Sequence, residues 1–238
     1  MRAVNKMFFY MVKQITQEMM MIMLVIAPVL AGLFFRVGIP LVESKILIRF
    51  GLEEVLVPYY EYFSWLLAML TGMLFAFVGG LVVLGEMDDN VAKYIIVTPA
   101  GLKGYLGSRI LIPAFISGAV ALVCVPAFSL TSFSPAKLTV MVASTMVSGI
   151  VTSLLVVAIS SNKVEGMAVG KLSGLFGMTF FVPLAVKGLV KYVFSIFPMF
   201  WIGEWTLSGG WWKLVMAFLE FAVWMILLFR RFEKKFKG

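Results

Sequence analysis

The 238-residue sequence contains no histidine and a single cysteine, Cys124. Without histidine, Ser-His-Asp and Cys-His catalysis, HExxH zinc sites and every other histidine-dependent mechanism are excluded from this chain. A lone cysteine forms no intramolecular disulfide, so the redox compartment is not legible from it. Charge is also scarce: 13% of residues are charged, against about 25% in a typical soluble domain. What is plentiful is apolar. Hydrophobic residues make up 62% of the chain and mean hydropathy is +1.03. One small core cannot hide that excess. The composition predicts an integral membrane protein and excludes a disordered chain, a fibrous protein and a secreted disulfide scaffold.

A helix that crosses a bilayer needs roughly 20 mostly apolar residues. Six such runs occur, at 19–39, 62–84, 108–130, 137–160, 167–186 and 212–229. They are too long and too continuous for barrel strands, so the expected fold is an all-α membrane protein with six transmembrane helices. Thirteen of the twenty Lys and Arg lie in or beside 1–18, 85–107, 161–166 and 230–238, and seven lie in or beside the opposite connections. Positive charge marks the cytoplasmic side, which predicts both termini in the cytoplasm. The net charge of +8 then reads as topology, not as a nucleic-acid surface.

Residues 1–18 are too polar for a cleaved signal. Val4, Met7, Phe8, Met11, Val12 and Ile15 recur at helical spacing, which predicts an interfacial amphipathic helix on the inner leaflet. The alternative is a simple extension of the first span.

The connection 86–99 is the most informative. Asp88, Asp89 and Asn90 are helix-starting residues, and acids favour the positive end of a helix. Val91, Tyr94 and Ile95 then share one face, and Pro99 disfavours helix at Thr98. The expected product is a short amphipathic helix that must dock on membrane or partner. This segment resembles the type-2 ABC exporter permeases, which carry an acidic turn after the second span and a short helix ending in Thr-Pro or Ser-Pro. Glu86, Asp88, Ile95, Ile96, Val97, Thr98 and Pro99 match in register, and Tyr105, Leu106 and Arg109 follow. Asn90 stands at the usual Gly, Val91 at the usual Thr and Lys93 at the usual Glu. Residues 162–171 and the Phe197-Pro198 segment resemble two further stretches of that family. The resemblance implies that 86–99 is a coupling helix, with Glu86, Asp88, Asp89, Val91, Tyr94, Ile95, Thr98 and Pro99 as its ATPase-coupling residues. It also implies re-entrant half-helices in 187–211, where the alternative is an aromatic belt.

Gly166 to Lys171 reads GxxxGK, which lacks the spacing and the Ser or Thr of a phosphate loop. Gly166, Gly170 and Gly174 instead repeat every four residues, a helix-packing pattern whose partner is either this chain or a second copy. Glu220 is an acid deep within a span, where charge is costly. It serves either the substrate path or a subunit interface, or it is a packing residue. Residues 40–61 are either an external amphipathic helix or a solvated loop. No catalytic or metal-ligating cluster is evident.

The resulting expectation is a single permease domain over 1–238 with no nucleotide-binding domain or cofactor of its own. The resemblance implies a separate cytoplasmic ABC ATPase that holds ATP and Mg, a second permease subunit (homo- or heterodimer) that completes the path, and export of an amphipathic or hydrophobic compound, drug-like, peptide or lipid, with a multidrug or fluoroquinolone-like type first among them. The competing readings are an ATPase-independent channel or scaffold and a membrane-embedded enzyme.

Overall fold

The apolar runs fold as helices in a computed structural model, which describes residues 2–50, 56–97 and 101–237. Among the described residues there is no strand. Helix α1 (Arg2–Gln17) ends at Glu18, whose extended backbone separates it from α2 (Met19–Leu33). The chain then passes through a π-helical turn, Phe34–Gly38, into α3 (Ile39–Phe50). Next come α4 (Tyr60–Asp88), α5 (Val91–Ile96) and α6 (Gly101–Leu106). A second π-helical turn, Gly107–Leu111, leads into α7 (Ile112–Phe128). They are followed by α8 (Pro135–Ile159), α9 (Lys163–Met178) and the one-turn α10 (Val182–Ala185). A 3₁₀ segment, Leu189–Ile196, precedes α11 (Pro198–Ser208) and α12 (Trp211–Lys237).

Six helical stretches are long and apolar enough to cross a membrane: Met19–Lys45, Val57–Asp88, Gly104–Phe128, Pro135–Ile159, Lys163–Ala185 and Trp211–Lys235. Each overlaps a run read from the sequence. The first is longer than read, and the start of 40–61 is helix, not loop, because the π turn carries the helix past Gly38 into Pro40. Each π turn ends two residues before a proline, Pro40 or Pro113. Proline has no N–H for the i→i−4 bond, and local π geometry absorbs the defect.

Helix α4 is the central post, in contact with α2, α7, α8 and α9. Its approach to its neighbours depends on missing side chains. A Cβ at Gly72 would run into the carbonyl oxygen of Thr145 on α8, and one at Gly79 into that of Arg109. The expected glycine stripe on α9 also packs within this chain. A Cβ on Gly170 would strike the Phe77 ring and one on Gly166 the tip of Leu84, both on α4, whereas Gly174 meets only the Met73 methyl, at 4.0 Å. Residues 166–171 lie inside α9, so no phosphate loop exists there.

At one end of the bundle, α11 folds back into the helices. Pro198 through Glu204 are all buried, and a Cβ at Gly203 would meet the Phe180 carbonyl oxygen. The turn into α12 needs positive φ at both Gly209 and Gly210, a conformation that glycine adopts freely. The aromatics of 187–211 divide here: Phe200 and Trp201 are buried and Phe197 meets Phe176 and Trp224, whereas Tyr192, Phe194 and Trp211 are exposed.

Candidate functional site

The opposite end of the bundle holds α1, the end of α4, α5, the start of α9 and the end of α12. It is the end richer in Lys and Arg. At about 1.5 Å per residue the 29 residues of α4 span about 44 Å, more than the roughly 30 Å of a hydrocarbon core, so one end of this helix extends past the apolar layer.

Asp88 and Asp89 close α4; they do not start α5, which corrects the sequence reading. The helical run from Tyr60 continues without interruption to Asp88, and the Asp89 N–H still bonds to the Gly85 carbonyl at 3.0 Å. The reversal falls on Asn90, which is left-handed at φ 59. Asparagine is among the few side-chain-bearing residues that visit this region routinely. The same geometry explains how Asn90 can stand where the exporter permeases carry Gly.

Beyond Asn90, α5 presents two faces. Ala92 is fully buried and Ile95 packs against the core. Val91, Tyr94 and Val97 point outward, 41%, 75% and 83% exposed. The expected face Val91–Tyr94–Ile95 is therefore shifted: Ile95 anchors the helix, and Val97 joins the outer surface. Thr98 and Pro99 lie outside the described residues.

Glu86 is not on that surface. It is buried, and the Arg109 side chain embraces it. Arg109 donates from Nε to both carboxylate oxygens at 3.1 Å and from Nη2 to Oε1 at 2.5 Å. Its Nη1 donates to the Met7 carbonyl of α1. Both charged groups are almost wholly shielded, at 1% and 2% side-chain exposure. The Arg109 guanidinium also lies 5.8 Å from the ring centre of the buried Tyr105. The Arg109 carbonyl has no N–H to accept from at Pro113, and it lies so close to Gly79 that a Cβ there would strike it. Gly79 and Glu86 are seven residues apart on one face of α4, so the π turn clamps α4 at two levels.

A second set of contacts ties α9 to the same end. Asn162 Oδ1 accepts from the Glu165 N–H at 2.9 Å, and Glu165 Oε2 accepts from the Ser161 N–H at 2.6 Å, a near-reciprocal cap. Asp88 Oδ2 accepts from the Lys163 N–H at 2.9 Å. Lys163 Nζ reaches Glu18 at 2.6 Å, and Lys235 Nζ donates to the Val157 carbonyl at 3.0 Å. Between α1 and α5 lies a groove of about 520 Å³, lined by Tyr10, Lys13, Gln14 and Val91, with Glu86 and Arg109 at its base.

Glu220 is remote from this end. Its Oε1 accepts the Trp201 indole N–H at 2.8 Å, and that N–H also faces the Ser195 carbonyl at 2.9 Å. Glu220 thus joins α12 to α11 and to the 3₁₀ segment. The sequence reading missed Glu204, which is buried and paired with Lys191 and with Lys213, the latter at 3.4 Å. The only available signal was one acid among lysines distant in sequence. It also missed Gly72, Gly79 and Gly203, which follow no four-residue repeat.

Residues 11–230 match the family described as "Fluoroquinolones export permease protein Rv2686c-like". Two relatives from Mycobacterium tuberculosis, the fluoroquinolones export permease proteins MT2760 (strain CDC 1551 / Oshkosh) and Rv2686c (strain H37Rv), are each 26% identical over 231 residues. These matches cover 92% of this chain and 89% of each relative. No solved structure matches. With six membrane-length apolar helices and a family match over nearly its whole length, the chain is an integral membrane protein that belongs to the Rv2686c-like family of fluoroquinolones export permeases.

Proposed function

We propose that this chain is the membrane half of an ATP-driven drug exporter, working with a separate ABC ATPase and a second permease subunit. The observation that carries this reading is the exposed Val91–Tyr94–Val97 face on α5, backed by the buried Arg109–Glu86 pair. An apolar face on a short helix fits a groove on a partner, and a rigid backing lets a push on that face reach the spans. In this reading the Lys- and Arg-rich end is cytoplasmic, with both termini inside. Helix α1 lies along the inner leaflet, and the 187–211 segment lies at the outer side. Closure of the ATPase pair on ATP would move α5, and the clamp would carry that motion to α4 and α7. The relatives' names point to fluoroquinolones as cargo. Glu220 either meets the cargo or serves only as the joint between α12 and α11.

The test is reconstitution with an ABC ATPase encoded beside the permease gene. Inverted vesicles should accumulate norfloxacin with Mg-ATP and not with Mg-ADP. Equal uptake with both nucleotides would contradict an ATP-driven exporter.

A further inference from the structure

A groove of about 570 Å³ opens where the π turn Gly107–Leu111 faces α8 and α12. Ile110, Leu154 and Phe229 are among its apolar walls, and Arg230 and Glu233 form its charged edge. They stand three apart on α12, on one helical face, near the end of the last span. At Gly107 the void reaches the backbone, since a Cβ there would meet nothing within 4 Å. The volume lies within the range of drug-sized sites, roughly 300–1,000 Å³.

What separates this groove from an ordinary lipid-facing furrow is its wall. The turn that supplies Gly107 and Ile110 to the groove also carries Arg109, whose side chain grips Glu86 and the α1 backbone. Helix α6 runs directly into this turn, and α5 precedes α6 in the chain. In the exporter reading, a displacement of α5 would reach the groove through this turn. We propose that this groove is the intake site for the exported compound, an amphipathic zwitterion. Its aromatic body lies along the apolar wall, its carboxylate meets Arg230 and its protonated amine faces Glu233. This inference rests on the exporter reading and adds a site and a charge pattern to it.

The probe is norfloxacin, a zwitterionic fluoroquinolone, with the full-length chain in phosphatidylcholine nanodiscs. Gly107→Leu fills the groove and Arg230→Glu reverses its anion-binding edge. Each is expected to weaken equilibrium binding by about tenfold or more. To separate lost binding from lost folding, Gly107→Cys is placed in a Cys124→Ser chain, where saturating norfloxacin should remove most maleimide labelling. If the wild type binds and exports norfloxacin while both variants bind equally well, or norfloxacin leaves Cys labelling unchanged, the groove is not the intake site although the exporter reading stands. Release of co-purified phospholipid by Gly107→Leu with unchanged drug binding would assign the groove to lipid and overturn the proposal. If the wild type neither binds nor exports norfloxacin, the exporter reading falls together with the proposal.

Discussion

Arg109 holds Glu86 with its guanidinium while its own carbonyl faces Gly79, so a single residue of the π turn is fastened to two turns of α4. The shielded pair carries a direct consequence. Glu86→Gln or Arg109→Met leaves one buried group without its counter-charge, a loss of about 3–5 kcal/mol. Thermal unfolding of the purified chain should show both single variants strongly destabilised. The exchanged pair, Glu86→Arg with Arg109→Glu, should recover part of the loss. Full wild-type stability in either single variant would remove the clamp from the account.

Glycines that face main chain should be less tolerant than those that face side-chain tips. At Gly79 the obstacle is the Arg109 carbonyl, which cannot rotate away, whereas at Gly174 the nearest atom is the mobile Met73 methyl at 4.0 Å. Gly79→Ala is expected to cost about 1–3 kcal/mol through overpacking, and Gly174→Ala to stay within about 0.5 kcal/mol. Melting curves of the two variants decide the order, and an equal effect would contradict the packing described.

The fold was largely legible because it rests on apolar length: six runs of bilayer-spanning length can only be helices. The interior contacts were not. Nothing local marks Glu86 and Arg109 as partners, since they are 23 positions apart and meet only when two spans lie side by side. The acids at 88 and 89 carry a cap-like composition, yet the preceding helix keeps its hydrogen bonds to that point and leaves the reversal to Asn90. The four-residue glycine repeat was visible on α9, while the closest backbone approaches, at Gly72, Gly79 and Gly203, depend on tertiary neighbours.

At the other end, Glu204 binds the 3₁₀ segment to α11 through Lys191. Hydrogen bonding to the Glu204 carboxylate raises the Lys191 pKa, against a smaller opposing effect of burial. A raised lysine pKa stabilises the folded form fully below the unfolded value of about 10.4, and the contribution fades as pH rises through the folded value. The protection of 189–196 against hydrogen exchange, taken relative to the base-catalysed intrinsic rate, should therefore hold through neutral and mildly alkaline pH and fall only above it. Glu204→Gln should abolish that pH dependence. An alkaline transition unchanged by Glu204→Gln would place its origin elsewhere.

Glu220 can be sorted by one substitution. Glu220→Gln keeps a carbonyl oxygen for the Trp201 indole and removes the charge. If the carboxylate serves cargo, drug-stimulated ATP hydrolysis changes while stability holds. If Glu220 is only a joint, both remain at wild-type level, and Glu220→Leu alone loosens α11.

In the proposed exporter, an ATPase docks on the outer face of α5. Val91→Asp with Tyr94→Asp places two charges on exposed positions without touching the buried Ala92 or the partly buried Ile95. Co-purification of the tagged permease with its candidate ATPase, wild type against this double variant, measures that docking directly. The double variant is expected to fold and melt like wild type but to lose the ATPase. Retention of the ATPase at wild-type stoichiometry would contradict docking at this face.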